Sequence, residues 1–246
     1  MKKEKMLNVA REFADKYKVE GVVGIIFLGG LARGSVDNFS DIDITVFFNK
    51  NYESGVETFK GEIEYKGFTI DPNFQVYEDN LKSEWNMEKR WAFSEAKIYY
   101  DPEGRVKQLL DGKVFLKKEE RKWLMMEGLV QSDWYINWLP EQSLERGSVL
   151  QASYVLDTGI REFLKGLFAY NNQLVPSEKW AIFYVTKLKK LPTNFEKHLE
   201  EFMKVKEISM KDIQRRQKVF NIMWKEMVPE MEKEIGMKYK EFCSWI

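Results

Sequence analysis

Two apolar segments bracket a short polar turn between residues 21 and 48, and this arrangement restricts the fold more than any other feature of the chain. The first segment, Gly21-Val22-Val23-Gly24-Ile25-Ile26-Phe27-Leu28, is short, β-branched and apolar on both faces, which suits a buried strand. Gly29-Gly30 ends it. After ten polar or turn-rich residues, Asp41 to Phe48 forms a second strand pattern. Ile42, Ile44 and Val46 lie on one face of it, and Asp41, Asp43 and Thr45 on the other.

The residues of this turn have a chemical logic. Paired glycines let a backbone approach a phosphate closely, and free N–H groups in the turn that follows can hold anionic oxygens. Arg33 and Ser40 add a fork of donors and a hydroxyl. Two carboxylates on one strand face repel each other unless a positive charge sits between them. Magnesium answers that need, because it takes oxygen ligands from one or two carboxylates together with substrate phosphates. A third carboxylate usually completes such a site. Asp71 is the candidate, set on the opposite face from Phe68 and Ile70, and Glu64 is the alternative.

The stretch Gly29-Gly30-Leu31-Ala32-Arg33-Gly34-Ser35, continued to Ser40-Asp41-Ile42-Asp43-Ile44, resembles the signature of the DNA polymerase β-like nucleotidyltransferase superfamily. That group includes the antibiotic nucleotidyltransferases. It often has Gly-Ser at the turn where this chain has Gly29-Gly30, so Ser35 or Ser40 would have to supply the missing hydroxyl. The resemblance implies that Asp41 and Asp43 ligate two magnesium ions. Asp71 would ligate the catalytic ion and accept the proton of the acceptor hydroxyl. Gly29, Gly30 and Ser40 would hold the triphosphate, with Arg33 nearby. Arg146-Gly147, a long helix through Asp157, and Asn171-Asn172-Gln173-Leu174-Val175-Pro176-Ser177-Glu178-Lys179-Trp180 are similar to the helical domain of bacterial nucleotidyltransferases of the lincosamide and aminoglycoside resistance type. Lys179 is a candidate to reach the triphosphate or acceptor from that half.

Along the rest of the chain, residues 3–18 have the apolar spacing of an amphipathic helix. Residues 62–77 read as a strand region with a hairpin turn at Lys66-Gly67, in which Pro72 should keep the strand at an edge or end it. A helix is expected over 79–93 and a short strand at Ile98-Tyr99-Tyr100. From Lys118 onward the spacing is helical, with breaks expected near Pro140, Gly147, Pro176, Pro192 and Pro229. The fold class expected is α+β: a small mixed sheet with flanking helices over 1–112, then a helical bundle over 113–246.

Composition narrows the function classes. Basic and acidic side chains number 39 each, so no global charge draws the chain to nucleic acid, and no basic stripe or aromatic strand platform favours such a partner. Cys243 and His198 are the single cysteine and histidine, which excludes an internal disulfide and Cys/His zinc sites. No apolar run is long enough for a membrane span. The expectation is a cytoplasmic enzyme, monomer or homodimer, that uses magnesium and ATP or another nucleoside triphosphate to modify a small-molecule hydroxyl. The rival readings are a nucleotide-sensing or antitoxin-like binding module, and an adenylyltransferase acting on protein. Ion pairs from Arg33 to Asp37 and from Asp157 to Arg161 are expected at helical i, i+4 spacing. Trp85, Trp91, Trp134, Trp138 and Trp180 could be drawn together as an aromatic acceptor pocket, but most of them are expected in core or inter-domain packing.

Overall fold

Met6, Ala10 and Phe13 recur on one side of the first helix, α1 (Lys2–Asp15), and are buried there together with Ala14. They need an apolar surface to lie on, and a five-stranded sheet provides it. The computed structural model describes residues 2–51 and 58–243. They divide into two units, Met1–Phe115 and Leu116–Ile246.

In the first unit α1 is followed by β1 (Val22–Phe27), the short helix α2 (Gly29–Arg33), β2 (Ile42–Phe48), β3 (Ile63–Tyr65), β4 (Phe68–Val76), α3 (Tyr77–Lys82), α4 (Met87–Phe93), β5 (Lys97–Tyr100) and α5 (Arg105–Lys113). The sheet order is β3-β4-β2-β1-β5. Strand β1 runs antiparallel to β2 and β5, whereas β2 and β4 are parallel, so the sheet is mixed as expected. One face carries Ile25, Phe27, Ile42, Ile44, Val46 and Ile70 into a core with α1. The other carries Val23, Ile26 and Phe47 into a core with Tyr77, Trp85, Phe93, Val106 and Leu109. Burial on both faces explains why β1 is apolar throughout. Each fully buried large side chain contributes roughly 1.5–3 kcal/mol.

The β3–β4 turn falls at Lys66 (φ 52°) and Gly67 (φ 77°). Two successive positive φ values are those of a type I′ hairpin turn, whose twist matches that of the strands. Pro72 does not end β4, but it lies where the strand is locally an edge. Strand β3 pairs only as far as Ile70, so at Pro72 the strand has a neighbour on one side, β2, and a proline without an N–H is tolerated. The single helix expected over 79–93 is two helices. The chain breaks at Ser83 to Asn86, and the Asn86 side chain accepts from Lys89 N to cap α4.

The second unit comprises α6 (Lys118–Asp133), a π-helical turn (Trp134–Trp138), α7 (Leu139–Glu145), α8 (Val149–Tyr170), α9 (Glu178–Val185), α10 (Phe195–Met203), α11 (Met210–Ile235) and α12 (Tyr239–Cys243). This is the helical bundle expected. Helix α8 buries Ala152, Leu156, Phe163 and Leu167 along one stripe. Pro229 does not break the chain and lies inside α11. It removes one backbone hydrogen bond, but Met223, Met227 and Met231 are buried on either side of it and hold the helix in place. Among the described residues no helix is long and apolar enough to cross a membrane.

Helices α6 and α8 bring their backbones close together at Gly128 and Gly166. A Cβ on Gly128 would lie 2.7 Å from Gly166 Cα and 2.9 Å from Glu162 O. These are backbone atoms and cannot rotate away. Gly128→Ala is therefore expected to destabilise the bundle by about 1–3 kcal/mol, through overpacking that exceeds the gain in helix propensity. Gly112→Ala is the control, since a Cβ there meets nothing within 4 Å. It should be neutral or stabilising. Thermal denaturation of the two variants checks both signs.

Candidate active site

The geometry that positions the carboxylates follows from strand alternation. With Ile42, Ile44 and Val46 committed to the α1 core, Asp43 and Thr45 must face the other side of the sheet. Asp41 stands immediately before β2 and continues the same alternation. Strand β4 alternates in step, with Phe68, Ile70 and Phe74 toward the α1 core. Asp71 therefore shares the face of Asp43, and the parallel register places the two opposite each other. Adjacent strands are roughly 4.8 Å apart, so this is the closest approach that two carboxylate-bearing residues on neighbouring strands can make. Glu64 is placed differently. It sits on the outermost strand and accepts a hydrogen bond from Thr69 Oγ1 at 2.7 Å.

Gly29 completes this arrangement. Its φ is +57°, in the left-handed region. A Cβ built there would lie 1.8 Å from Asp43 Oδ2, so the carboxylate occupies the space a side chain would need. Leu28 N donates to Asp43 O at 3.0 Å and ties the end of β1 to the same residue. Gly30 is less crowded, with Ser35 O at 3.1 Å and Ser40 Oγ at 3.4 Å from its notional Cβ.

The loop from α2 to β2 is closed by Asp37. Asp37 Oδ1 accepts from Phe39 N and from Ser40 Oγ, each at 2.9 Å, and Asp37 N donates to Ser40 Oγ at 2.9 Å. The Phe39 amide, followed by the Ser40 hydroxyl, holds the Asp37 carboxyl below its ordinary value. The single proton of the Ser40 hydroxyl is thus directed at Asp37, while the hydroxyl itself lies beside Gly30. Ser35 is exposed and its amide donates to Gly30 O at 3.0 Å.

Arg33 does not pair with Asp37, because Gly34 (φ 81°) ends the helix between them. Its guanidinium stacks 3.9 Å above the Trp91 ring. Lys179 belongs to the second unit, in the first turn of α9, with its ammonium 5.5 Å from the Trp180 ring centre. Asp157 does not pair with Arg161 as the spacing suggested. It meets Arg216 Nη2 at 2.5 Å.

Lys89 is a residue the sequence did not single out. Its ammonium donates to Asn80 Oδ1 at 2.6 Å and Gln75 Oε1 at 3.3 Å, and lies 4.5 Å from the Trp85 ring centre. Gln75 lies on the Asp71 face of β4, so a half-buried cation stands on the carboxylate-bearing side of the sheet. Burial lowers its pKa. The signal that would have located it, the helix break at Ser83 to Asn86, carries no proline or glycine to mark it.

Among the described residues, no three or more His, Cys, Asp or Glu side chains are grouped closely enough to hold a metal ion. The donor set nonetheless suits magnesium. Asp43 and Asp71 offer hard oxygen atoms from adjacent strands, and nucleotide phosphates commonly supply the remaining ligands of such a site.

Residues 7–116 match the family described as "Nucleotidyltransferase domain". A comparison with curated proteins gave no match. Among solved structures the chain is similar to a nucleotidyltransferase-like protein from Exiguobacterium sibiricum 255-15, at 14% identity and a TM-score of 0.51. That likeness covers 94% of this chain and 78% of the other. The matched segment spans nearly all of the mixed sheet and its helices, and over the whole chain the likeness to the solved structure is one of fold.

Proposed function

We propose that the protein transfers a nucleoside monophosphate, with ATP as donor, to a hydroxyl of a small molecule and releases pyrophosphate. The observation that supports this reading best is the in-register pairing of Asp43 with Asp71, with Gly29 packed against the Asp43 carboxylate. Asp41, Asp43 and Asp71 would hold magnesium, which when bound neutralises charge on the triphosphate and on the attacking and leaving oxygens. Asp71 would take the proton of the acceptor hydroxyl as its oxygen attacks the α-phosphorus. The N–H groups of Gly29, Gly30 and Leu31, at the start of α2 and ahead of its first helical bond from Ala32 N to Leu28 O, would face the phosphates. Ser40 would exchange its bond to Asp37 for a phosphate oxygen, Ser35 would supply a second hydroxyl, and Arg33 would add positive charge from above Trp91. Cationic aminoglycosides and lincosamides are the acceptors to try first, given the resemblance of the sequence motifs.

The test is pyrophosphate release from ATP and magnesium across that acceptor panel. Release should require an acceptor and fall by roughly 10³-fold in Asp43→Ala, since metal-borne charge stabilisation is worth several kcal/mol. Tight ATP binding with no release for any acceptor, and no label on protein, would instead favour a nucleotide sensor.

A further inference from the structure

The second unit contains a cavity of about 650 Å³ that none of the chemistry above uses. It is lined by residues of α6 (Val130, Gln131, Asp133), of the π-helical turn (Trp134, Trp138) and of α12 (Tyr239, Lys240, Cys243). We propose that this cavity is a binding site for a small planar organic cation, with the two tryptophan rings and the Asp133 carboxylate as its recognition elements.

The tryptophans are the first reason. Trp134 is 44% exposed and Trp138 58%, although both lie in a bundle with a large apolar core. Their rings are nearly parallel, at 18°, with centroids 6.3 Å apart. The turn that carries them is fixed from behind. Ile136 is fully buried against α8 at Gly159, and its carbonyl accepts from Gln217 Nε2 at 2.8 Å. With Ile136 anchored inward, the two indoles are held outward and parallel, ready for a flat ligand. The π-helical form is rare and recurs at functional positions.

Charge is the second reason. Asp133 Oδ2 accepts from Tyr239 OH at 2.6 Å, and Asp133 Oδ1 from Asn137 Nδ2 at 2.7 Å. Both donors are neutral, so they orient the carboxylate without cancelling its charge. Burial, and then the bond to Asp133, raise the Tyr239 pKa far above its ordinary value, so its proton stays in place. A negative charge beside two indole faces selects a cation over a neutral or anionic ring, because indole attracts cations through its π-face. Lys240 stands exposed on the same lining and opposes that preference. The volume lies within the range of small-molecule sites, roughly 300–1,000 Å³.

The experiment is calorimetric titration of the full chain with N-methylquinolinium, with quinoline as the neutral isostere and naphthalene-2-sulfonate as the anion. The cation should bind at one site, about tenfold more tightly than quinoline, and the anion should not bind. Trp138→Ala should weaken the cation by about tenfold or more with the melting temperature retained, since that ring is largely exposed. Asp133→Asn should remove the preference for the cation, and Lys240→Gln should strengthen it. Absence of saturable binding to the wild-type protein overturns the proposal. So does equal affinity for cation and isostere, or a Trp138→Ala variant that binds as wild type. Lys240→Gln keeps the charge argument testable even if Asp133→Asn disturbs α12, and weaker cation binding by Lys240→Gln would refute it.

Discussion

Gly29→Ala should abolish most of the nucleotidyl transfer proposed above while leaving a folded protein. Two effects combine at this position. The φ of +57° costs an alanine roughly 1–2 kcal/mol relative to glycine. The added methyl would then occupy a point 1.8 Å from Asp43 Oδ2, which forces the carboxylate to move by more than an ångström. Asp43 is fixed by strand register and by the bond from Leu28 N to its carbonyl, so its side chain must rotate out of the position it holds opposite Asp71. A misplacement of about 1 Å in a catalytic group costs on the order of 10²-fold in rate. The expected result is a fall in kcat of at least that size with a modest drop in melting temperature. Gly30→Ala is the comparison. Its φ is not positive and its nearest neighbour is 3.1 Å away, so a loss of a few-fold is expected. Steady-state pyrophosphate release by the two variants, beside their thermal melts, makes the test. If Gly29→Ala keeps wild-type turnover, Asp43 is not where the chemistry occurs.

The contrast between these two glycines marks how far the sequence could be read. Alternation alone assigned Asp41 and Asp43 to a face, because Ile42, Ile44 and Val46 leave no choice about which side is buried. That Gly29 rather than Gly30 carries the steric constraint depends on the path of the turn, and no residue pattern records it. Asp71 falls between these cases. Its face was legible from Phe68 and Ile70, but its position opposite Asp43 is a parallel pairing between strands far apart in sequence, and such register is set by packing on α1. Pro72 was legible in part: β3 stops short, so the proline does sit where the strand has one neighbour, although β4 continues past it to Val76. In the helical half, Pro229 was read as a break because local propensity disfavours it, yet buried methionines on both sides outweigh one lost hydrogen bond. The sequence did not separate Trp134 and Trp138 from the tryptophans expected in packing. Their exposure depends on a π-helical turn held by the insertion of Ile136 against α8, a tertiary event that helical spacing does not encode.

Arg216 was the least legible residue, and its removal should have the largest effect on stability. Its guanidinium is 1% exposed and its partners lie 14, 63 and 59 residues away. Nε donates to Phe202 O at 2.8 Å, Nη1 to Ser153 Oγ at 3.4 Å and Nη2 to Asp157 Oδ1 at 2.5 Å. Phe202 is in the last turn of α10, where backbone carbonyls have no helical partner, so Arg216 satisfies a buried acceptor and joins α10 and α8 to α11. The ion pair with Asp157 matters less, because that carboxylate is 52% exposed and can be hydrated if its partner is lost. Arg216→Ala leaves a cavity and an orphaned carbonyl, and should cost about 3–5 kcal/mol. Arg216→Met fills the space but still strands the Phe202 carbonyl, so about 1–3 kcal/mol is expected. Adding Asp157→Asn to Arg216→Met should change little further. Urea denaturation of the three variants measures these differences. An Arg216→Met protein as stable as wild type would show that the bundle is held by its apolar core alone. The ordering Ala below Met below wild type, with Asp157→Asn nearly silent, would identify the carbonyl of α10 as the group Arg216 is there to satisfy.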